Sequence, residues 1–277
     1  MRLKLKLLAV LFVKFFYPNS TALNQVSINI KRAIEREKWY GKFKKISVKK
    51  YENFFYFLSP KPKISELNEF YSTMYQDARD EIPFKITHRE LTQISFLKKN
   101  FEFKNKKILN FGSGKSGFSH LCKLMGANVF EVEAKNKKET NFDKDIYFTN
   151  SIENLKGSKF DLIYASHSLE HVSNIKETLT TLAILSKEDT HFFFEVPDGE
   201  IDLRNRKQNG IFFPHLFFFK KDFYKNIFSG EDIKNNSFLR IFNNDNLEEY
   251  SSTSVKDNII VWTNKNLNLK EIKKISI

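Results

Sequence analysis

From Lys106 onward, short apolar runs alternate with segments whose apolar residues recur every three or four positions. The short runs predict strands, and the longer spacing predicts helices at 116–127 and 171–185. The predicted strands lie at 106–111, 128–134, 145–151, 160–166, 190–197 and 257–264. This alternation is typical of an α/β fold with a doubly wound parallel sheet and helices on both faces.

The segment before this region predicts helices alone. Apolar spacing in 24–50 predicts a basic amphipathic helix, and Pro60 and Pro62 interrupt any continuous helix. A helix is predicted to begin at Ile64, and another covers 89–99. We therefore predict a helical N-terminal extension, residues 1–63, followed by the α/β domain, residues 64–277.

The charge of the chain is concentrated in that extension. Residues 1–63 hold fifteen Lys or Arg against three acidic residues, a net charge of +12, while the remainder is nearly neutral. The apolar run at 7–13 follows a basic start, but it is too short to span a bilayer and precedes no typical signal-peptide cleavage site. This pattern predicts a partly buried amphipathic helix, with peripheral contact to an anionic membrane or a plain solvated face as the alternatives.

Cysteine and histidine usage limits the chemistry of the chain. Cys122 stands alone, which excludes an intrachain disulfide and a cysteine zinc site and is typical of a reducing, cytoplasmic setting. The six histidines show no ligand spacing of a known zinc motif, so no metal site is predicted. No aromatic RNA-binding signature is present, which argues against a nucleic-acid partner.

The turn "NFGSGKSG" after the first predicted strand contains two overlapping motifs. Its Gly-Lys-Ser matches the last three residues of a phosphate-binding P-loop. However, such a loop requires a glycine five positions before Gly114, and this chain has Leu109 there. The second motif is G-x-G-x-x-G, formed by Gly112, Gly114 and Gly117, with Glu133 nineteen residues after Gly114. This arrangement predicts a site for a nucleotide-bearing cofactor, either a nicotinamide dinucleotide or an adenosine-containing methyl donor.

Three segments of the sequence resemble the successive motifs of class I S-adenosylmethionine-dependent methyltransferases. They are "KKILNFGSGKSGFSHLCKLMGANVFEVEA", "KFDLIYASHSLEHVSNIKETL" and "FFFEVPD". Leu-Glu-His after the fourth strand and Glu-Val-Pro in the fifth resemble one bacterial group most, and "FPHLFFFKKDFYKNIF" and "LSPKPKISELNEFYSTMY" resemble its flanking segments. The resemblance spans roughly residues 55–265 and implies a Rossmann-like sheet and S-adenosyl-L-methionine as cofactor.

The resemblance also implies roles for individual residues in cofactor binding. Gly112, Gly114 and Gly117 would line the methionine and ribose parts, and Glu133 would hold the ribose hydroxyls. Ser151 and Ile152 would lie near the adenine ring, and Ser166 and His167 would border the sulfonium and the acceptor. Many members have aspartate where this chain has Asn110, so the carboxylate that orients the cofactor's ammonium group is missing here.

For catalysis, His215 is the first candidate base because its segment covers the acceptor pocket in the family, and His167 is the second. His171 is expected to be structural, while Glu195 is either a pocket acid or a strand-end residue. Tyr71, Tyr75 and Arg79 either close over the cofactor or belong to the core.

The resemblance implies methyl transfer to a small molecule or a glycan precursor, in surface-polysaccharide assembly. The alternatives are a nicotinamide-dependent oxidoreductase and a non-catalytic protein that retains the fold.

Overall fold

The computed structural model describes residues 2–42, 46–74, 86–134, 145–208, 214–228, 237–240, 259–265 and 267–277. Contacts within the chain define two compact units. One comprises Met1–Ser47 and Pro60–Asp80, and the other comprises Val48–Ser59 and Glu81–Ile277.

The first unit is helical. Helices α1 (Arg2–Phe16) and α2 (Thr21–Lys42) pack against each other, and α3 (Ile64–Met74) contacts α2. Trp39 is fully buried and meets the Phe70 ring edge-to-face, with 5.6 Å between ring centroids. The predicted helix start at Ile64 is confirmed, whereas the helix predicted over 24–50 ends at Lys42. No helix in the described ranges is long and apolar enough to cross a membrane.

The prediction of an entirely helical stretch up to residue 63 is wrong. Strands β1 (Ser47–Tyr51) and β2 (Phe55–Ser59) follow α2, so the last four residues of the predicted 24–50 helix lie in β1. Aromatic and β-branched residues in this stretch favour a pleated conformation once a partner strand is present. The predicted positions Tyr75 and Arg79 lie outside the described residues, as does the side chain of Tyr71.

The main sheet of the second unit is built around five parallel strands. They are β3 (Lys107–Phe111), β4 (Asn128–Val132), β5 (Ile146–Thr149), β6 (Phe160–Ser166) and β7 (Ser186–Pro197). Their spatial order is β5-β4-β3-β6-β7. The chain thus starts in the middle, runs to one edge and then returns to the other side, which opens a crevice at the carboxyl end of β3.

Three further strands lie in the described part of this unit. β8 (Phe217–Phe219) pairs antiparallel with β2 in a small sheet ordered β1-β2-β8. β9 (Ser237–Arg240) and β10 (Ile259–Lys265) extend the main sheet beyond β7, with β10 lying between β7 and β9 and antiparallel to both. Sequence patterns predicted β10 but missed β8 and β9.

Helices cover both faces of the main sheet. α4 (His88–Leu97) and α5 (Gly117–Leu124) pack with Val129, Leu162, Tyr164 and Phe193 in one hydrophobic core. The alternate residues of the same strands point to the opposite face, where Phe194 stacks on Phe228 and Trp262 meets Phe219 and Phe223. The predicted doubly wound α/β fold is confirmed.

The remaining helices follow the parallel strands. α6 (Ile175–Ile184) begins after a short 3-10 turn at Leu169–His171, so the helix predicted from residue 171 starts four residues later. Asn174 causes this start, because its side chain accepts a hydrogen bond from the backbone N–H of Glu177 at 3.2 Å. α7 (Gly199–Gln208), α8 (Tyr224–Ile227) and α9 (Leu269–Lys274) complete the described helices.

Candidate functional site

The glycine-rich turn is held tightly against the end of β4. The backbone N–H of Gly112 donates to the carbonyl of Val132 at 2.7 Å, and Gly112 has a φ of +72°. A Cβ at this position would lie 2.0 Å from Ser168 Oγ, so only glycine fits. Gly114 also has a positive φ, +52°, but a Cβ there would meet nothing within 4 Å. The turn therefore leaves open space beside Gly114.

Glu133 reaches this turn from the end of β4. Its carboxylate oxygen Oε2 accepts a hydrogen bond from the backbone N–H of Gly114 at 2.9 Å. The predicted glycine motif and the predicted acidic residue are thus brought together, nineteen residues apart in sequence. In folds of this kind, a carboxylate at the end of the second strand can accept hydrogen bonds from the hydroxyls of a ribose.

Asn110 lies directly beneath the turn, near the end of β3. Its side chain is buried, and Nδ2 donates to Ser119 Oγ on α5 at 2.9 Å. The other polar atom, Oδ1, is buried with no hydrogen-bond partner in the described part of the chain. A buried acceptor that is left unsatisfied costs free energy, and a bound donor group would remove that cost.

A cavity opens above these residues, and it is bordered by several of them. Its lining includes Asn110, Gly112, Gly114, Gly117, Ser166 and Arg89, and Glu133 contacts this lining at Gly114. Tyr164 forms part of the wall; its ring stacks on Phe118 at 3.6 Å and its hydroxyl donates to Gln93 Oε1 at 2.6 Å. Packing therefore orients the ring of Tyr164, and a hydrogen bond orients its hydroxyl.

Ser151 and Ile152 lie at the same edge of the sheet, after β5. Ser151 Oγ accepts a hydrogen bond from the backbone N–H of Glu153 at 3.3 Å and starts the short 3-10 helix Ile152–Leu155. Both residues are half-buried, and neither belongs to the lining of the cavity in the described residues. Their proposed contact with an adenine ring stays a prediction.

A cluster of ionisable side chains begins beside Ser166, which lines the cavity. Ser166 Oγ donates to Glu195 Oε1 at 3.1 Å, and this fully buried carboxylate also lies 3.7 Å from Arg89 Nε. The His167 ring lies between two carboxylates, with Nε2 3.6 Å from Glu195 Oε1 and Nδ1 3.4 Å from Glu170 Oε1.

The two carboxylates determine the charge of His167. Burial lowers the pKa of this ring, but the contacts with Glu170 and Glu195 outweigh burial and raise the pKa to about 9. Burial acts in the opposite sense on Glu170, yet the neighbouring histidines lower the pKa of its carboxyl to about 2. At neutral pH this places an imidazolium between two carboxylates, so His167 has no free lone pair with which to act as a base.

The cluster ends at two further histidines, His171 and His215. Burial lowers the pKa of His171 to about 4, and its Nδ1 lies 3.3 Å from the carbonyl oxygen of Pro214. Its ring meets the His215 ring edge-to-face, with 4.7 Å between centroids. His215 Nδ1 in turn contacts Asp202 Oδ2 at 2.7 Å.

Helix α7 brings Asp202 to His215. The first residue of α7, Gly199, lies against β8, where a Cβ would come 2.2 Å from the carbonyl carbon of Phe218. The absence of a side chain at Gly199 therefore allows the helix to approach the segment that contains His215. Asp202 also accepts a hydrogen bond from Arg206 Nε at 2.8 Å, one helical turn further on.

Sequence reasoning missed Asp202, Arg206, Arg89, Tyr164 and Gln93. The spacing of Asp202 and Arg206, four residues apart, was the one available signal, and it indicates only a helical ion pair. The others become recognisable when helices and strands distant in sequence are packed together.

Three groups in this cluster have metal-ligand chemistry. The ligand atoms of Glu170, His171 and His215 lie within 4.8 Å of one another. However, Arg206 Nη2 lies 3.0 Å from both ring nitrogens of His215, so a guanidinium cation stands where a metal ion would coordinate. The expectation of no metal site stays a prediction.

Comparison with known proteins relates the chain to methyltransferases. A family model described as a methyltransferase domain matches residues 79–236, more than half of the chain. No curated protein sequence gives a significant match.

Solved structures with a similar fold share little sequence with the chain. The 1,6-didemethyltoxoflavin-N1-methyltransferase of Burkholderia thailandensis, which contains bound 1,6-didemethyltoxoflavin and S-adenosylhomocysteine, is 12% identical. It aligns with 80% of this chain and 100% of its own, with a TM-score of 0.51. The magnesium protoporphyrin IX methyltransferase of Synechocystis PCC 6803, with bound SAH, is 11% identical over 72% of this chain and 97% of its own, with a TM-score of 0.50.

Other similar structures align over a smaller part. The YcgJ protein of Bacillus subtilis is 19% identical, and the alignment covers 48% of this chain and 62% of that protein, with a TM-score of 0.37. The chain therefore matches less than two thirds of the length of that relative. The two more extensive alignments show the fold that the sequence motifs predicted. On the match of the family model to more than half of its residues, this chain belongs to the methyltransferase domain family.

Proposed function

We propose that the chain transfers a methyl group from S-adenosyl-L-methionine to a small molecule or a glycan precursor. The observation that carries this proposal is the hydrogen bond between the Gly114 N–H and Glu133, which joins the open glycine turn to a carboxylate at the crevice of the sheet. The resemblance to a bacterial group with roles in surface-polysaccharide assembly supports a glycan precursor as acceptor.

The residues that line the cavity, together with Glu133 beside Gly114, fit this cofactor. Space beside Gly114 would accept the methionine and ribose parts, and Glu133 would accept hydrogen bonds from the ribose hydroxyls. The unsatisfied Oδ1 of Asn110 would accept one from the cofactor's ammonium group. Because Asn110 is neutral, it supplies a weaker contact to a cation than aspartate would.

S-adenosylmethionine supplies an electrophilic methyl group on a sulfonium. The chain must hold the acceptor oxygen or nitrogen in line with the sulfur–carbon bond that breaks, and it must take the proton that the acceptor loses. Asp202 contacts Nδ1 of His215 at 2.7 Å, and Arg206 Nη2 lies 3.0 Å from both ring nitrogens, so Nε2 would accept that proton only after Arg206 moves away from it. We keep His215 as the proposed base, with Asp202 as its positioning residue.

Calorimetry with S-adenosylmethionine, S-adenosylhomocysteine and NADH tests the choice of cofactor. We expect binding of the first two and none of NADH. Binding of NADH alone would indicate an oxidoreductase, and binding of none of the three would indicate a non-catalytic protein.

Mass spectrometry of glycan precursors and small nucleophiles, incubated with labelled S-adenosylmethionine, tests the reaction. Once a methylated product is found, His215→Gln should lower kcat by about 10²-fold or more while the affinity for the cofactor is unchanged. An unchanged kcat would exclude His215 as the base. His191→Gln, a half-buried histidine on β7, is the matched control and should retain activity.

A further inference from the structure

Helix α1 carries an exposed row of large apolar side chains. Leu5, Leu8, Phe12 and Phe15 follow one another at intervals of three, four and three residues, and Phe16 lies beside the last of them. All five are exposed, from 59% for Leu5 to 81% for Phe15. With about 100° per residue, they occupy one sector of roughly 100° on the helix surface. We call these five residues the outer stripe.

The outer stripe lies opposite the side of α1 that contacts α2. The less exposed residues Leu7, Val10 and Lys14 occupy the other side of the helix, as expected for the side that packs on α2. The helix therefore already has a partner for one face and presents a second apolar face without one in the described residues. Contiguous exposed apolar surface of this kind marks an interaction site.

The charges around the outer stripe identify its partner. Lys4 borders the stripe, Lys6 lies further around the helix, and both are exposed. No acidic residue occurs before Glu35, and residues 1–63 carry a net charge of +12. A second copy of the helix would bring like charges together, whereas an anionic surface would complement them.

We propose that α1 lies in the headgroup region of a membrane that contains anionic phospholipid, with the outer stripe among the acyl chains. Helices of this type bind in the plane of the interface, through apolar burial together with attraction between lysines and acidic lipids. At 15 residues, α1 has the length for such a position and not for a span. This inference is independent of the proposed methyl transfer.

Vesicle co-sedimentation of the full chain tests the inference. One set of vesicles contains phosphatidylcholine alone, and the other contains about 30% phosphatidylglycerol. Both sets are tested at low and at high salt. We expect binding to the anionic vesicles, weakened at high salt. The double variant Phe12→Ser/Phe15→Ser should bind at least tenfold more weakly, and Lys4→Glu/Lys6→Glu should lose the preference for anionic vesicles.

Leu124→Ser is the matched control, because Leu124 on α5 is 81% exposed, the same as Phe15. It should bind like the unaltered chain. Absence of vesicle binding, or equal loss in the control and the stripe variants, would overturn the proposal. Light scattering gives an independent check: a dimer that Phe15→Ser converts to monomer, without vesicle binding, would make the stripe a contact between two copies instead.

Discussion

Gly112 occupies the point where β3 turns toward α5, and Ser168 closes over it from the loop after β6. A methyl group at Gly112 would collide with Ser168 Oγ in addition to the cost of its positive φ. Gly157 offers a matched comparison, because its φ is +82° and a Cβ there would meet nothing within 4 Å.

We predict that Gly157→Ala lowers the free energy of unfolding by about 1 kcal/mol and Gly112→Ala by about 3 kcal/mol. Urea denaturation of both variants measures the difference. Equal losses would show that Ser168 moves aside at no cost.

Glu133 combines a structural contact with a proposed binding contact. Glu133→Gln keeps an oxygen to accept from the Gly114 N–H, so the turn should be preserved, but it removes the negative charge offered to the ribose hydroxyls. We expect the Kd for S-adenosylmethionine to rise about fivefold, since hydrogen bonds to charged groups are stronger by roughly 1 kcal/mol.

Calorimetry checks this expectation, with Glu153→Gln as control. Glu153 is an exposed carboxylate paired with Lys156 outside the cavity. Equal affinities in all three proteins would remove Glu133 from the binding site.

His167 makes stability depend on pH. Its pKa is raised from 6.5 to about 9 in the folded state, so the imidazolium stabilises the fold fully below pH 6.5 and this contribution is lost as pH rises through 9. We predict that the free energy of unfolding falls by about 2 kcal/mol between pH 7 and 9.5.

This fall in the free energy of unfolding should be absent from the variant His167→Gln. It should be present in His88→Gln, which alters an exposed histidine. Denaturation curves at a series of pH values measure the three slopes. A flat profile for the unaltered chain would contradict the imidazolium. The buried Cys122 thiol, whose pKa is raised by burial, is common to all three proteins.

At the residue scale, the sequence predicted those parts of the site whose residues lie close together along the chain. The glycine turn follows one strand, and Glu133 follows the next strand along the chain. The contact between Gly114 and Glu133 was therefore predictable. The Asp202–His215 contact and the position of His167 between two carboxylates require packing of segments that are distant in sequence. No local pattern encodes that packing.

At the element scale, the small sheet β1-β2-β8 shows where hydrophobic patterning fails. β8 is three consecutive phenylalanines, all buried, so it has no alternation that could distinguish strand from helix. Its strand conformation comes from pairing with β2, in which Phe55 faces Phe219 across the sheet. The parallel strands β3 to β7 were predicted because each is a short apolar run along the chain.

The same sheet gives a direct test of packing. Phe55 is fully buried among Phe217, Phe219 and Phe223. We predict that Phe55→Ala lowers the free energy of unfolding by about 3–5 kcal/mol, while Phe15→Ala on the exposed stripe changes it by less than about 0.5 kcal/mol. Thermal and chemical denaturation provide the comparison, and similar effects of the two substitutions would show that Phe55 is not a core residue.

At the scale of the whole molecule, the sequence predicted the fold class and the family but not the complete sheet. Motifs identified β3, β4, β6 and β7 and the loops between them, because each motif is local. β10 pairs with β7 across sixty or more residues, and β9 reaches the edge of the sheet by pairing with β10. The sequence alone does not specify these pairings. The sequence likewise did not predict the division into compact units. Residues 48–59 belong to the second unit because β2 pairs with β8, more than 150 residues further along the chain.

The place of β10 in the sheet has a consequence for synthesis of the protein. β7, with its buried phenylalanines, gains its second neighbour only from residues 259–265. While a ribosome is still extending the chain beyond β7, that strand has an open apolar edge for as long as it takes to make about sixty more residues, some seconds at ordinary rates. A stalled or prematurely terminated chain would keep this edge open, and we expect such fragments to depend on chaperones or to aggregate.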